Sequence, residues 1–445
     1  MMANSVKFEY AVYLLPKSAK DPEAVFRKLI AKNFSQLKIV EEISTNPAEA
    51  LVSGHFQRNV AKEYAPPGLE SLRHAGHGLT PAQEHALQKT TEAFILQFAY
   101  PRELVWTALR NADLLVEGVA RHTGGLVWDE ATREVFTPDA WHERRLASWP
   151  GGIPDVHTQT VVHIYQDGEF IREITLGMEK AGLPDVVVEG ASWSMESRIA
   201  GLINEFCQVM AEGQLLAVPG KAEMNVQTIR NDAVRTERMK SFYANATGIA
   251  HLYLKIGQKQ DGDADNRLIE ITAERYTGPD IHAKQDRMVS CTFGAEPDKV
   301  KYIKHDDQLL DASRKARLKL PELKEAFRKG LPPGEHIDLK APFESWSGHE
   351  WMWIEVTGWK DQKITGLLQN EPADVADLHA GQLVEVKEED IFDYVRYYAD
   401  GHKQGNATGE IIERMEEEKD RTIHAFRDGG NTFSPRPNQA GCDPK

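Results

Sequence analysis

Cysteine is scarce in this chain: Cys207, Cys291 and Cys442 are the three present, in unrelated contexts with no Cys-x-x-Cys pair. Neither a disulfide framework nor a structural zinc site is readable, and a reducing, cytoplasmic setting is expected. Long apolar runs are missing as well. No stretch approaches the roughly 18 apolar residues that a membrane span needs. The opening MMANSVKFEYAVYLLPKSAK, broken by Glu9 and Pro16, reads as a first strand rather than a secretory leader. Basic residues are outnumbered: 53 Lys and Arg face 68 Asp and Glu, a formal charge of -15, and such a chain repels nucleic acid and anionic membrane at range. Familiar catalytic signatures are absent too. There is no Gly-x-Ser-x-Gly elbow, no Gly-x-x-x-x-Gly-Lys-[Ser/Thr] loop and no Gly-x-Gly-x-x-Gly, which removes the usual serine-hydrolase and nucleotide-binding readings. HEWMW and WHERRL begin like a zinc-protease His-Glu-x-x-His but end in Trp353 and Leu146.

What is present describes a layered α+β protein. At 445 residues and 41% hydrophobic, there is material for two or three domains with full cores. After a strand at Phe8 to Leu15, Asp21 and Pro22 open a helix with Val25, Phe26, Leu29 and Ile30 on one face. ALVSGHF and EAFILQFAY read as strands, Thr80 and Pro81 as a helix start, and Arg102 to His122 as a long helix stopped by Gly124 and Gly125. HIYQDGEFIREITLGM is a hairpin turning on Asp167 and Gly168. Ser194 is expected to cap a helix whose stripe is Met195, Ile199, Leu202, Ile203, Phe206 and Met210. We place an N-terminal α/β sandwich at 1–220 and a central α+β segment at 225–334. A small, strongly curved β-sheet or partial barrel is expected at 335–415, then a helical extension and disordered tail at 416–445.

Several motifs invite chemistry. DGDADNRLIE puts Asp261, Asp263 and Asp265 at calcium-loop spacing, yet Asn266 stands where the sharp turn needs glycine and Thr272 where a bidentate glutamate belongs, so a polar hairpin loop is the reading. His74, His77 and His85 lie close together without a completing ligand. Cys207 falls beside an apolar helix stripe as a core filler. Residues 314–329 hold seven basic residues, Arg314, Lys315, Arg317, Lys319, Lys324, Arg328 and Lys329, against two Glu. That helix is either a solvated face or a patch for phosphate or an acidic partner. In EWMWIEVT, strand alternation puts Met352, Ile354 and Val356 on a core face and Trp351, Trp353, Glu355 and Thr357 on the other. Those tryptophans are either a packed layer or an aromatic contact surface. Glu350, Glu355, Asp390 and Asp393 could gather at one end of this region as an acid–base pair or a hard-cation site, or remain solvated strand ends.

The run KAPFESWSGHEWMWIEVTGWKDQKITGLLQNEP, continued by GQLVEVKEEDIFDYVRYYADGHKQGNATGEII, resembles a bacterial family of uncharacterised domains typified by YegJ. It shares an EWMWIEV core, a Gly-x-Leu-x-Asn-x-Pro turn, a GQ-V strand, DIFDY and a DG-x-x-x-GN segment, in that order. ARHTGGLVWDEATREVF and ITLGMEKAGLPDVVVEG are similar to another uncharacterised bacterial family. The YegJ resemblance implies a bacterial protein and a recurrent module, and it transfers no catalytic residue. The expected role is non-catalytic recognition of a protein partner, as in an immunity or defence accessory protein. The candidate binding residues are Trp346, His349, Glu350, Trp351, Trp353, Glu355, Asp390, Asp393, Asp400 and Asn406. No resident metal or cofactor is expected, membrane is excluded as a partner and nucleic acid is disfavoured. The alternatives are a metal-dependent hydrolase using the acidic residues, and nucleic-acid binding through 314–329.

Overall fold

A computed structural model describes residues 5–16, 21–215, 217–295, 307–345, 348–414 and Cys442. Trp346, the segment from 415 to 441 and the last three residues lie outside it, so the tail expectation is not addressed. The first part of the chain runs β1 (Ser5–Tyr13), α1 (Pro22–Asn33), β2 (Lys38–Ile39), β3 (Leu51–Arg58), α2 (Leu69–Ala75), β4 (Gly76–His77), α3 (Pro81–Leu87), β5 (Glu92–Pro101), α4 (Val105–Thr123), β6 (Leu126–Asp129), β7 (Glu134–Phe136) and α5 (Pro138–Trp141). It continues through β8 (Val161–Asp167), β9 (Phe170–Leu176), β10 (Asp185–Ala191), α6 (Glu196–Ala211), β11 (Gly220–Asn225), α7 (Asp232–Met239), β12 (Ile249–Ile256), β13 (Leu268–Thr272) and α8 (Ile281–Phe293). Last come α9 (Asp307–Arg317), α10 (Leu320–Lys329), β14 (His336–Ser345), β15 (Gly348–Lys360), β16 (Lys363–Leu368), β17 (Leu383–Lys387), β18 (Asp393–Tyr397) and β19 (Lys403–Gly405).

These strands form three open sheets, an α+β fold. Their orders are β2-β3-β5-β1-β6-β7-β4, β11-β12-β13-β10-β9-β8 and β17-β16-β15-β14-β18-β19. Helices α1 and α4 cover one face of the first sheet, and α6 and α8 pack on the second. One apolar core extends from Val6 to Cys291 across both. The cut placed between 220 and 225 runs along β11, inside the second sheet, where β10 and β13 pair across it. The third sheet has its own core, closed by Ala316, Leu320 and Leu323 of α9 and α10.

Local chemistry explains the element ends. The Asp21 carboxylate accepts from Glu23 N, Thr80 and Gln83 form a reciprocal capping box, and Gly124 closes α4 at φ +70°, each satisfying groups that a helix end leaves orphaned. Two expectations need correction. The β8–β9 loop is Gly168–Glu169, since Asp167 still pairs with Phe170 and Gly168 alone of the two loop residues takes a positive φ, +66°; glycine first is the other primed turn a hairpin accepts. Ser194 does not cap α6, which starts at Glu196 behind Met195 and has no side-chain cap; the turn before it is held by a distant residue described below.

The disulfide reading also changes. Cys291 and Cys442 are bonded, with Cα atoms 5.7 Å apart and a sequence separation of 151. No spacing rule reaches that far. Cys207 is free and buried in the common core.

Charge is buried where the first two sheets meet. Arg145 donates to Asp129 at 2.8 Å and to Glu134 at 2.9 Å, and Lys180 reaches Asp129 at 2.6 Å. Tyr10 donates to Asp113 beside them. Burial raises the Asp113 carboxyl to about 7.

Candidate functional site

Strand β15 divides the third sheet as its alternation predicts. Met352, Ile354 and Val356 face α9 and α10 in the core. Trp351 and Trp353 are partly exposed on the opposite face, with Glu355 buried among them. Antiparallel pairing sets Pro342, Lys340 and Asp338 of β14 opposite Trp351, Trp353 and Glu355 respectively. Across from β14, Tyr397 of β18 lies opposite His336.

An aromatic and cationic rim results. Lys340 Nζ sits 5.4 Å from the Trp353 ring centre, and Lys403 Nζ 4.8 Å from that of Tyr397, both within reach of a cation–π attraction. His336 stacks on Tyr397 at 4.3 Å, and Trp351 tilts against Phe392 at 4.5 Å. Burial and the nearby Lys403 ammonium lower His336 to about 4, while burial and Asp338 raise Tyr397 to about 12. The imidazole is thus neutral and the phenol protonated near neutral pH.

At the floor of this face Asp338 and Glu355 oppose each other, 7% and 3% exposed. Burial, then the Glu355 charge, pushes Asp338 well above the ordinary carboxylate range. Glu355 is also raised by burial, against the hydrogen bonds it accepts. Its Oε1 takes the Trp193 N–H at 3.0 Å and its Oε2 the Ser194 N–H at 3.2 Å. These amides open the turn Trp193–Met195 that leads into α6, so a carboxylate of the third sheet holds the entry to a helix that packs on the second. The acids expected to gather do not share a site. Glu350 accepts from Ala373 N and Asp374 N, Asp393 from Tyr394 N and from Thr408 N and Oγ1, and Asp390 is exposed on a short turn. Asp338, which pairs with Glu355, was not singled out in the sequence, although HIDLKAPF alternates and places His336, Asp338 and Lys340 on the tryptophan face.

The other candidates are spread out. His349 is exposed at the start of β15, Asp400 is exposed in a turn against His402, and Asn406 takes a left-handed conformation, φ +66°, ahead of a helical turn. Trp346 is outside the described residues. The basic helices are largely paired internally. Asp311 holds Arg314 and Lys315, Glu322 holds Lys319, Glu325 holds Lys329, and Arg317 donates to the Glu389 carbonyl. Lys324 bonds Glu388, which also accepts from Trp359 Nε1; Arg328 is exposed.

The remaining motifs resolve as structural. Asp263 is bound by Arg172 and Asp265 by Lys259 in the β12–β13 loop. His77 is held by Glu134, and His85 by the Pro81 carbonyl. Among the described residues no group of three or more His, Cys, Asp or Glu is arranged to hold a metal ion, and no helix is long and apolar enough to cross a membrane.

A family described as an uncharacterized protein conserved in bacteria (DUF2314) matches residues 306–430. That span begins just before α9 and includes the whole third sheet. Comparison with curated proteins and with solved structures returned no significant match.

Proposed function

We propose that the third sheet is a recognition module that binds a protein partner through Trp351 and Trp353, and that the chain acts as a bacterial immunity or defence accessory protein. The observation that carries this reading is the half-open state of two indoles at the centre of a sheet face whose neighbours, Glu355 and Asp338, are buried. Large amphipathic rings left partly open are the anchors that dominate protein interfaces. Lys340 and Lys403 give the rim positive charge in an acidic chain, which favours a partner with carboxylates around its contact residues. Glu350, Glu355 and Asp393 are occupied as acceptors for backbone N–H groups. That gives them structural work and weighs against a hydrolase built on them.

The test is a pull-down from bacterial lysate with the full chain as bait. Trp351→Ala and Trp353→Ala are expected to lose the captured partner while the melting profile stays within about 2 kcal/mol of the parent's stability. Loss of solubility in both variants would assign the indoles to the core and defeat the reading.

A further inference from the structure

We infer that Cys442 is a thiol-exchange site, at which a small thiol or a dithiol protein opens a covalent clasp between the chain end and α8. Cys291, in α8, is 6% exposed, and its partner Cys442 is partly exposed. The loop they close contains α9, α10 and the entire third sheet. Helix α8 also holds that sheet without covalent help. Asp280 caps α8 by accepting Ala283 N at 2.8 Å and, with its other oxygen, accepts Leu383 N of β17 at 2.9 Å. Gly381, at φ +77°, lies so near the His282 carbonyl oxygen that a Cβ there would approach it to 2.8 Å. One helix therefore grips the third sheet at its start and the chain end near its finish.

Unequal exposure sets the direction of exchange. The incoming thiolate attacks the accessible Cys442 Sγ and forms a mixed disulfide there. Cys291 Sγ leaves with the electron pair and takes up a proton as a buried thiol. A second external thiolate then attacks the external sulfur of the mixed disulfide, releasing Cys442 as a thiol and forming the oxidised external disulfide. Two electrons and two protons reach the protein in total, supplied by the two external thiols. Thr247 donates to the Cys291 carbonyl from both its N–H, at 3.0 Å, and its hydroxyl, at 2.7 Å, so the backbone at Cys291 is held by bonds that do not involve sulfur. Reduction thus releases Cys442 rather than the helix. Cys207 takes no part, being buried in α6 with its thiol pushed up by burial.

The full chain, purified without reductant and alkylated under denaturing conditions, is expected to show modification at Cys207 alone, extending to all three cysteines after dithiothreitol. A mixture of reduced and oxidised glutathione is expected to place glutathione on Cys442 and none on Cys207. Hydrogen exchange at Leu383, whose amide Asp280 holds without sulfur, should keep the parent's rate on reduction and in Cys442→Ser, and a several-fold rise in either would overturn the reading that the helix stays in place. Three alkylated cysteines before reduction, a bond that survives millimolar glutathione unexchanged, or adducts on Cys207 would each overturn the proposal.

Discussion

Glu173 shows how far a single side chain can escape a strand pattern. In FIREITL an alternation reading puts Arg172 on one face and Glu173 on the other, and either would be expected at solvent. Both are fully buried. Arg172 is matched by Glu189 and Asp263, whereas both carboxyl oxygens of Glu173 lack a hydrogen-bond partner. Burial, then the nearby Glu196, raises Glu173 to about 9, so the group is a neutral acid in the native protein. A sequence cannot reveal this, because it depends on how α6 covers the sheet. Since the folded-state carboxyl titrates above its unfolded value, the native state binds more protons across that window. Its stabilising contribution is complete below the unfolded value and is lost as pH rises through about 9. Urea denaturation of the parent should lose up to about 1.4 kcal/mol per pH unit from this group above the ordinary carboxylate range. Glu173→Gln should flatten that slope, and an unchanged slope would show that Glu173 is ionised in the fold.

At the scale of elements, caps and periodicity were legible and irregularities were not. The Asp21 and Thr80 starts follow from side chains that accept backbone N–H groups of the first turn. The core face of β15 follows from period two. What alternation misses is the register shift between Val356 and Gly358, which brings Trp359 to the same core as Ile354; one extra residue in a strand turns all later side chains over. The two faces of β15 should therefore respond differently to truncation. Ile354→Ala, at a fully buried position, is expected to lower stability by about 2–5 kcal/mol through the cavity it leaves. Trp353→Ala, partly exposed on the other face, should cost under about 2 kcal/mol. Equal losses in chemical denaturation would mean that the tryptophan face is covered as completely as the core.

For the whole molecule, the third sheet was visible in the sequence as a module, but its attachment was not. Both bonds that matter most, Cys291 to Cys442 and Glu355 to the turn before α6, join positions more than 150 residues apart, beyond any local pattern. The second bond explains why Ser194 failed as a cap. Ser194 gives both its amide and its hydroxyl to Glu355, so its side chain is turned to the third sheet and not to the first amides of α6, which begins after Met195. If Glu355 is the clasp between the sheets, Glu355→Ala should leave both amides without an acceptor and cost about 1–3 kcal/mol. Removing its charge also relieves Asp338 of the carboxylate that faces it, which offsets part of that cost. Glu355→Gln, retaining one acceptor oxygen, should cost less than Glu355→Ala. Hydrogen exchange distinguishes a clasp from a residue that merely packs its own strand. The amides of Trp193 and Ser194 should exchange faster in Glu355→Ala while those joining β14 to β15 keep the parent's protection. If protection falls equally in both places, the carboxylate holds the third sheet together rather than holding it to the second.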